Sequence, residues 1–206
     1  MKSKFLCLFV LALSATVTQN ASAILMEFED LPLGHIYNVG DSFSATGIQV
    51  QVVKFQPVAG GELSGTALVD NLGIAGSTGK ELTLNNVSLK FLAGPYPQLG
   101  IALMFADLGG DINLGINGDL RKAANFTELS GETIGGAKIT VFGGNGSYGV
   151  ILMASGSITS FTIGGQELSV DYVFTSEGCI PEPATIVLLG LGSMGLLISR
   201  KNKGPA

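Results

Sequence analysis

Asp111-Ile-Asn-Leu-Gly-Ile-Asn117 alternates apolar and polar side chains at nearly every step. Successive side chains of a β-strand point to opposite faces, so this period of two places Ile112, Leu114 and Ile116 inward and Asp111, Asn113 and Asn117 outward. Gly118 follows Asn117, and Asn-Gly is a strong signal for a two-residue hairpin turn. The surrounding letters, Gly109 to Asp119, superficially match an acidic calcium loop but lack the EF-hand order of acidic positions, glycine and terminal glutamate. A strand ending in a turn is the better account.

The same reading extends outward in both directions. Ile48-Gln-Val-Gln-Val52 and Ile158-Thr-Ser-Phe-Thr-Ile163 alternate as strands with one wet face, whereas Ile101-Ala-Leu-Met-Phe105 and Val150-Ile-Leu-Met153 are continuous apolar runs suited to central strands. Further candidates are Leu25–Glu29, Thr66–Val69, Glu81–Leu84, Val87–Leu92, Lys138–Phe142 and Glu167–Phe174, separated by glycine turns. No amphipathic helical run interrupts them. About eleven strands over residues 24–177 predict one all-β domain, an antiparallel β-sandwich.

Of the 11 Lys and Arg residues, five lie at the chain ends: Lys2, Lys4, Arg200, Lys201 and Lys203. Between Ile24 and Ile180 six bases face fifteen acids, a net charge of −9. With no basic cluster along the sequence, an acidic domain is expected to repel nucleic acid and anionic polymer alike, while a divalent cation remains compatible. His35, the one histidine, lies in a loop and lacks the helpers of a zinc site or a triad. No carboxylate pair is singled out for glycan hydrolysis, and the expectation is a non-enzymatic protein. Tyr37, Tyr96 and Tyr148 are loop aromatics suited to stack on a sugar ring.

The two ends read differently from the middle. Lys2 and Lys4 precede the apolar run Phe5–Val17, and Ala21-Ser22-Ala23 supplies small residues for a signal peptidase. Residues 1–23 are therefore expected to be a signal peptide with a helical core, cleaved after Ala23. Cys7 leaves with it, and Cys179 is then the one remaining cysteine, so no intrachain disulfide is expected. At the other end, Pro181-Glu182-Pro183 precedes 16 residues without charge, Ala184–Ser199, and then Arg200, Lys201 and Lys203. As a helix the apolar run would span about 24 Å, slightly short of a bilayer core of about 30 Å. The basic residues would hold the tail on the cytoplasmic side.

Proline triplet, short span and basic stop at residues 178–206 resemble the PEP-CTERM sorting segment of Gram-negative bacteria. The resemblance implies that Pro181, Glu182 and Pro183 are the motif read by an exosortase, 184–199 a transmembrane helix and 200–206 its basic anchor. It implies transient residence in the inner membrane, then delivery to the cell surface, outer membrane or extracellular matrix, with a structural or adhesive role there. Docking on exopolysaccharide as a carbohydrate-binding module is the alternative.

Met26-Glu-Phe-Glu-Asp-Leu-Pro-Leu-Gly34 and Gly164-Gly-Gln-Glu-Leu-Ser-Val-Asp-Tyr-Val173 resemble the first and last strands of secreted jelly-roll domains. That resemblance implies neighbouring terminal strands whose acids share a structural calcium, here Glu27, Glu29, Asp30 and Asp171. Solvated edge charges are the other reading of the same residues.

Overall fold

The computed structural model describes residues 23–76, 79–92, 98–143 and 149–177. The expected signal helix and transmembrane helix lie outside these residues. Among the described residues no helix is long and apolar enough to cross a membrane.

Thirteen strands form one continuous sheet, and every pairing is antiparallel. In chain order they are β1 (Ala23–Met26), β2 (Ile36–Asn38), β3 (Ser42–Ala45), β4 (Ile48–Lys54), β5 (Thr66–Asp70), β6 (Glu81–Asn85), β7 (Val87–Leu92), β8 (Gln98–Ile116), β9 (Asp119–Ala123), β10 (Thr133–Ile134), β11 (Ala137–Phe142), β12 (Val150–Ile158) and β13 (Ser160–Glu177). Among the described residues a single 3-10 turn, Phe126–Leu129, is capped by the Asn125 side chain.

The long strands β8 and β13 pair along nearly their whole length and form the spine. Their register shifts between Gly165 and Leu168, opposite Asp107 and Gly109. Beyond the shift, the spine acquires different neighbours. In the first limb, residues 112–116 of β8 pair with β9, and residues 160–165 of β13 pair with β7, which leads to β4 and β3. In the second, the amino-terminal part of β8 pairs with β12, β11 and β10, while the other half of β13 pairs with β6 and β1; β6 leads to β5 and β2.

Both limbs contribute to one hydrophobic cluster. Val50, Val52, Leu89, Leu114 and Ile163 enter it from the first limb, and Val69, Leu82, Leu103, Leu152 and Val170 from the second. Within each limb they keep one parity of their strand, and the parity of β8 and β13 changes across the register shift, so the period of two in the sequence becomes the inward face of each limb. Phe91 and Phe161 pack with ring centroids 5.6 Å apart, and Phe105 meets Phe126 at 4.7 Å.

The opening stretch folds largely as its letters require. Ile112, Leu114 and Ile116 are fully buried, and Asn117 and Gly118 take φ of 52° and 83° in the tight turn from β8 to β9. Both positive values suit a type I′ turn, which Asn and Gly tolerate best. Asn113 keeps to the outward side as expected yet is only 1% exposed, because Ser88 Oγ donates to its Oδ1 at 3.0 Å and its amide donates to the Gln56 carbonyl at 3.4 Å.

Two strand boundaries also differ. Ile101–Phe105 and Asp111–Ile116 belong to one strand, as do Ser160–Ile163 and Glu167–Phe174. The glycines between them bend a continuing ladder through bulges rather than ending it. The short strands β2, β3, β9 and β10 carry too little apolar alternation to announce themselves.

Candidate functional site

The terminal strands lie side by side, Met26 opposite Val173 and Leu25 opposite Phe174. Of the four acids the jelly-roll resemblance points to, Asp171 is buried, Glu27 is partly covered, and Glu29 and Asp30 are exposed. The carboxylate nearest Asp171 in register was not among them. With Leu82 opposite Val170, continuation of the same ladder sets Glu81 across from Asp171.

Glu81 is 1% exposed and accepts from the backbone of Ala75 at 2.8 Å and of Ile74 at 3.3 Å. At the far end of the same loop, Lys80 N–H donates to Glu29 Oε1 at 2.7 Å, and its ammonium donates to the carbonyls of Glu29 and Leu31 at 2.5 and 2.8 Å. The described parts of this connection between β5 and β6 therefore strap down over the outward side of β6 and β13. Its Ile74 carbonyl also accepts from Gly149 N–H at 3.0 Å, beside the start of β12. A Cβ at Gly76 would collide with Asp171 Oδ2 and the Tyr172 ring.

Burial under this strap is the main cause that pushes the Asp171 carboxyl up to about 7. The charges of Glu81, Glu29 and Glu27 raise it further, and the Tyr172 N–H, donating to Oδ1 at 2.8 Å, opposes them. Among the described residues no three of His, Cys, Asp and Glu gather into a group able to hold a metal ion. Of the acids the resemblance points to, Glu29 holds a backbone N–H group, as does Glu81 beside them. Glu81 had one signal in the sequence, an acid opening an apolar strand directly after a glycine-rich loop whose N–H groups need acceptors.

Tyr37 is a core ring rather than a loop platform. It sits on β2, 8% exposed, with its centroid 4.6 Å from Phe43 and 4.5 Å from the exposed His35 ring. Tyr96, Tyr148, Ala21, Pro181, Glu182, Pro183, Arg200, Lys201 and Lys203 lie outside the described residues. Ala23 opens β1 opposite Ser176. An open cavity of about 400 Å³ lies between the limbs near that edge, walled by Ile48, Phe91, Ile101, Ile158, Phe161 and Val173.

No curated protein and no solved structure matches the chain. The family model of the PEP-CTERM protein-sorting motif does, at residues 180–201. The match takes in the Pro181-Glu182-Pro183 triplet, the whole apolar run 184–199, Arg200 and Lys201. The chain thus carries the sorting motif of an exosortase substrate, which implies export through the membrane to a cell-surface or extracellular destination.

Proposed function

We propose that this chain is a non-enzymatic component of the bacterial surface or extracellular matrix, with a structural or adhesive role. The sorting motif at 180–201 carries the reading, because it supplies a route that ends outside the cell. The β domain suits such a role. Its limbs share one core, which supports a sheet folded on itself as a jelly-roll-like sandwich. Its most buried acids, Glu81 and Asp171, lie under a loop that Glu81 holds through backbone hydrogen bonds, an arrangement that supports a scaffold rather than acid–base chemistry on a substrate.

Docking on exopolysaccharide is the second reading, favoured by the hydrogen-bonding outer face of the first limb. In either case the signal peptidase removes residues 1–23, the tail passes through the inner membrane, and the exosortase acts near Pro181–Pro183.

Intact mass of the protein recovered from the host's surface or medium tests the route. The expected mass begins at Ile24 and ends close to Pro183, with or without an added group. Recovery only of chains that still include Arg200 and Lys201 would mean permanent anchoring and would overturn exosortase processing. Turnover of a glycan panel by the recovered protein would overturn the non-enzymatic role.

A further inference from the structure

Six bases scattered through an acidic domain gave no cluster in the sequence, yet the fold brings two of them, Lys54 and Lys90, along one trough. The outer face of the first limb can be read row by row across the sheet. Gln51, Lys90, Thr162 and Gly115 stand opposite one another on β4, β7, β13 and β8. The next row runs Val53, Ser88, Gly164, Asn113 and Lys122, reaching β9. Their strand neighbours Val52, Leu89, Ile163 and Leu114 are in the core, so these rows face away from it.

The middle of the face is low because its side chains are small. A Cβ at Gly164 would collide with Ser88 Oγ and Asn113 Oδ1, so only glycine lets that buried pair join hands across β13. The result is a hydrogen-bonding floor under a trough of about 290 Å³ that includes Gly115, Ser160 and Thr162. Lys54 and Lys90 are the charged residues along it, and no carboxylate lines it among the described residues. Exposed Lys122 stands at the end of the Asn113 row. Lys54 shares its charge with exposed Glu62 at 2.8 Å, and Lys90 makes no ion pair among the described residues.

We propose that this trough binds an extended glycan bearing carboxylates, with Lys90 and Lys54 pairing to the carboxylates and the hydroxyl and amide groups of the trough meeting the sugar hydroxyls. The inference deepens the exopolysaccharide reading of the exported protein. Charge complementarity selects an acidic chain, since the lining offers lysines and no carboxylate. Among the described residues no aromatic ring lines the trough, so a neutral sugar would lack a stacking platform there. Single-stranded nucleic acid is disfavoured for the same reason, because its bases require such platforms.

The test uses the full-length chain in detergent micelles and measures retention by polygalacturonate, with neutral dextran and single-stranded DNA as comparisons. Polygalacturonate should bind and weaken as salt rises. Lys90→Glu and the double change Lys54→Glu with Lys90→Glu should each weaken it by about tenfold or more, and Lys90→Gln by less. Lys138→Glu, on β11 of the other limb, should leave binding as it was. Equal melting temperatures across the variants separate lost binding from lost fold. No binding, equal binding to dextran, preference for DNA, or equal loss in Lys138→Glu would each overturn the proposal. None of these touches the sorting route, which the mass measurement judges separately.

Discussion

The outer face of the first limb carries Gln51, Lys90, Thr162 and Gly115 in one row, whereas that of the second carries Thr140, Met153, Ala102, Phe174 and Leu25. The next row of the second limb runs Phe142, Ile151, Met104 and Asp171. Of these, Leu25, Phe142, Ile151, Met153 and Phe174 are exposed apolar residues. Both faces are carried by the same two spine strands, and both limbs turn equally apolar residues into one core. Alternation therefore fixes what points inward in each limb and leaves the outward letters free. One face uses that freedom for hydrogen bonds and lysines, the other for apolar surface and strapped-down acids.

If the limbs are halves of a single folded sheet, damage to the core from either side should melt both together. Leu114 of the first limb and Leu103 of the second are fully or almost fully buried in the same cluster. Leu114→Ala and Leu103→Ala should each cost about 2–5 kcal/mol and lower the melting temperature without splitting the transition. Two separate transitions in either variant would break the comparison, because the limbs would then be independent units.

The second prediction addresses the acids that only the second limb hides. Asp171 has Met104 beside it on β8, Glu81 across from it on β6, Gly76 above it, and the charges of Glu29 and Glu27 nearby. Its folded carboxyl is raised from 3.8 to about 7, so between those values the native state binds the proton more tightly than the unfolded chain. Its contribution is fully favourable below about pH 4 and is lost as pH rises toward 7. Asp171→Asn keeps the shape and an acceptor for the Tyr172 N–H while removing the charge. At pH 8 the variant should melt about 3–6 °C higher than the parent, and the fall in melting temperature between pH 4 and 7 should flatten. A lower melting temperature at pH 8 with an unchanged slope would show that the strap stabilises the charged form.

Much of this organisation was legible where the signal is local. Val87–Leu92 is a strand with the bounds its sequence suggests, Asn117-Gly118 is the turn its dipeptide demands, and the sorting tail is a linear signal read in order. What depends on pairing was not. Asn113 looked outward by parity and is outward, yet Ser88 of β7 reaches across Gly164 of the intervening β13 to cover it. Glu81 and Asp171 are ninety residues apart, and only the β6–β13 register makes them face each other. Lys54, Lys90 and Lys122 looked dispersed because each comes from a different strand of the first limb. The bends in β8 and β13 hid for a related reason: glycine signals a turn in a sequence, and a bulge in a ladder that continues uses the same letter.

The smallest expected effect falls on the apolar rows of the second limb. Phe174 and Met153 flank Ala102 in one row and are 42% and 39% exposed, so little of their stabilisation comes from burial. Changing both to Ser should move stability by less than about 1 kcal/mol, where the same change at Leu114 would be ruinous. The change should appear instead in association. Contiguous apolar surface of this kind drives sheet faces together, so the parent chain should bind a hydrophobic dye and self-associate more than the double variant at equal concentration. The matched control is Thr162→Ala with Gln51→Ala on the first limb, which adds no large apolar group and should alter neither readout. If both double variants behave alike in dye binding and light scattering, the two outer faces are equivalent to solvent, and the contrast between them carries no consequence beyond the lysine trough.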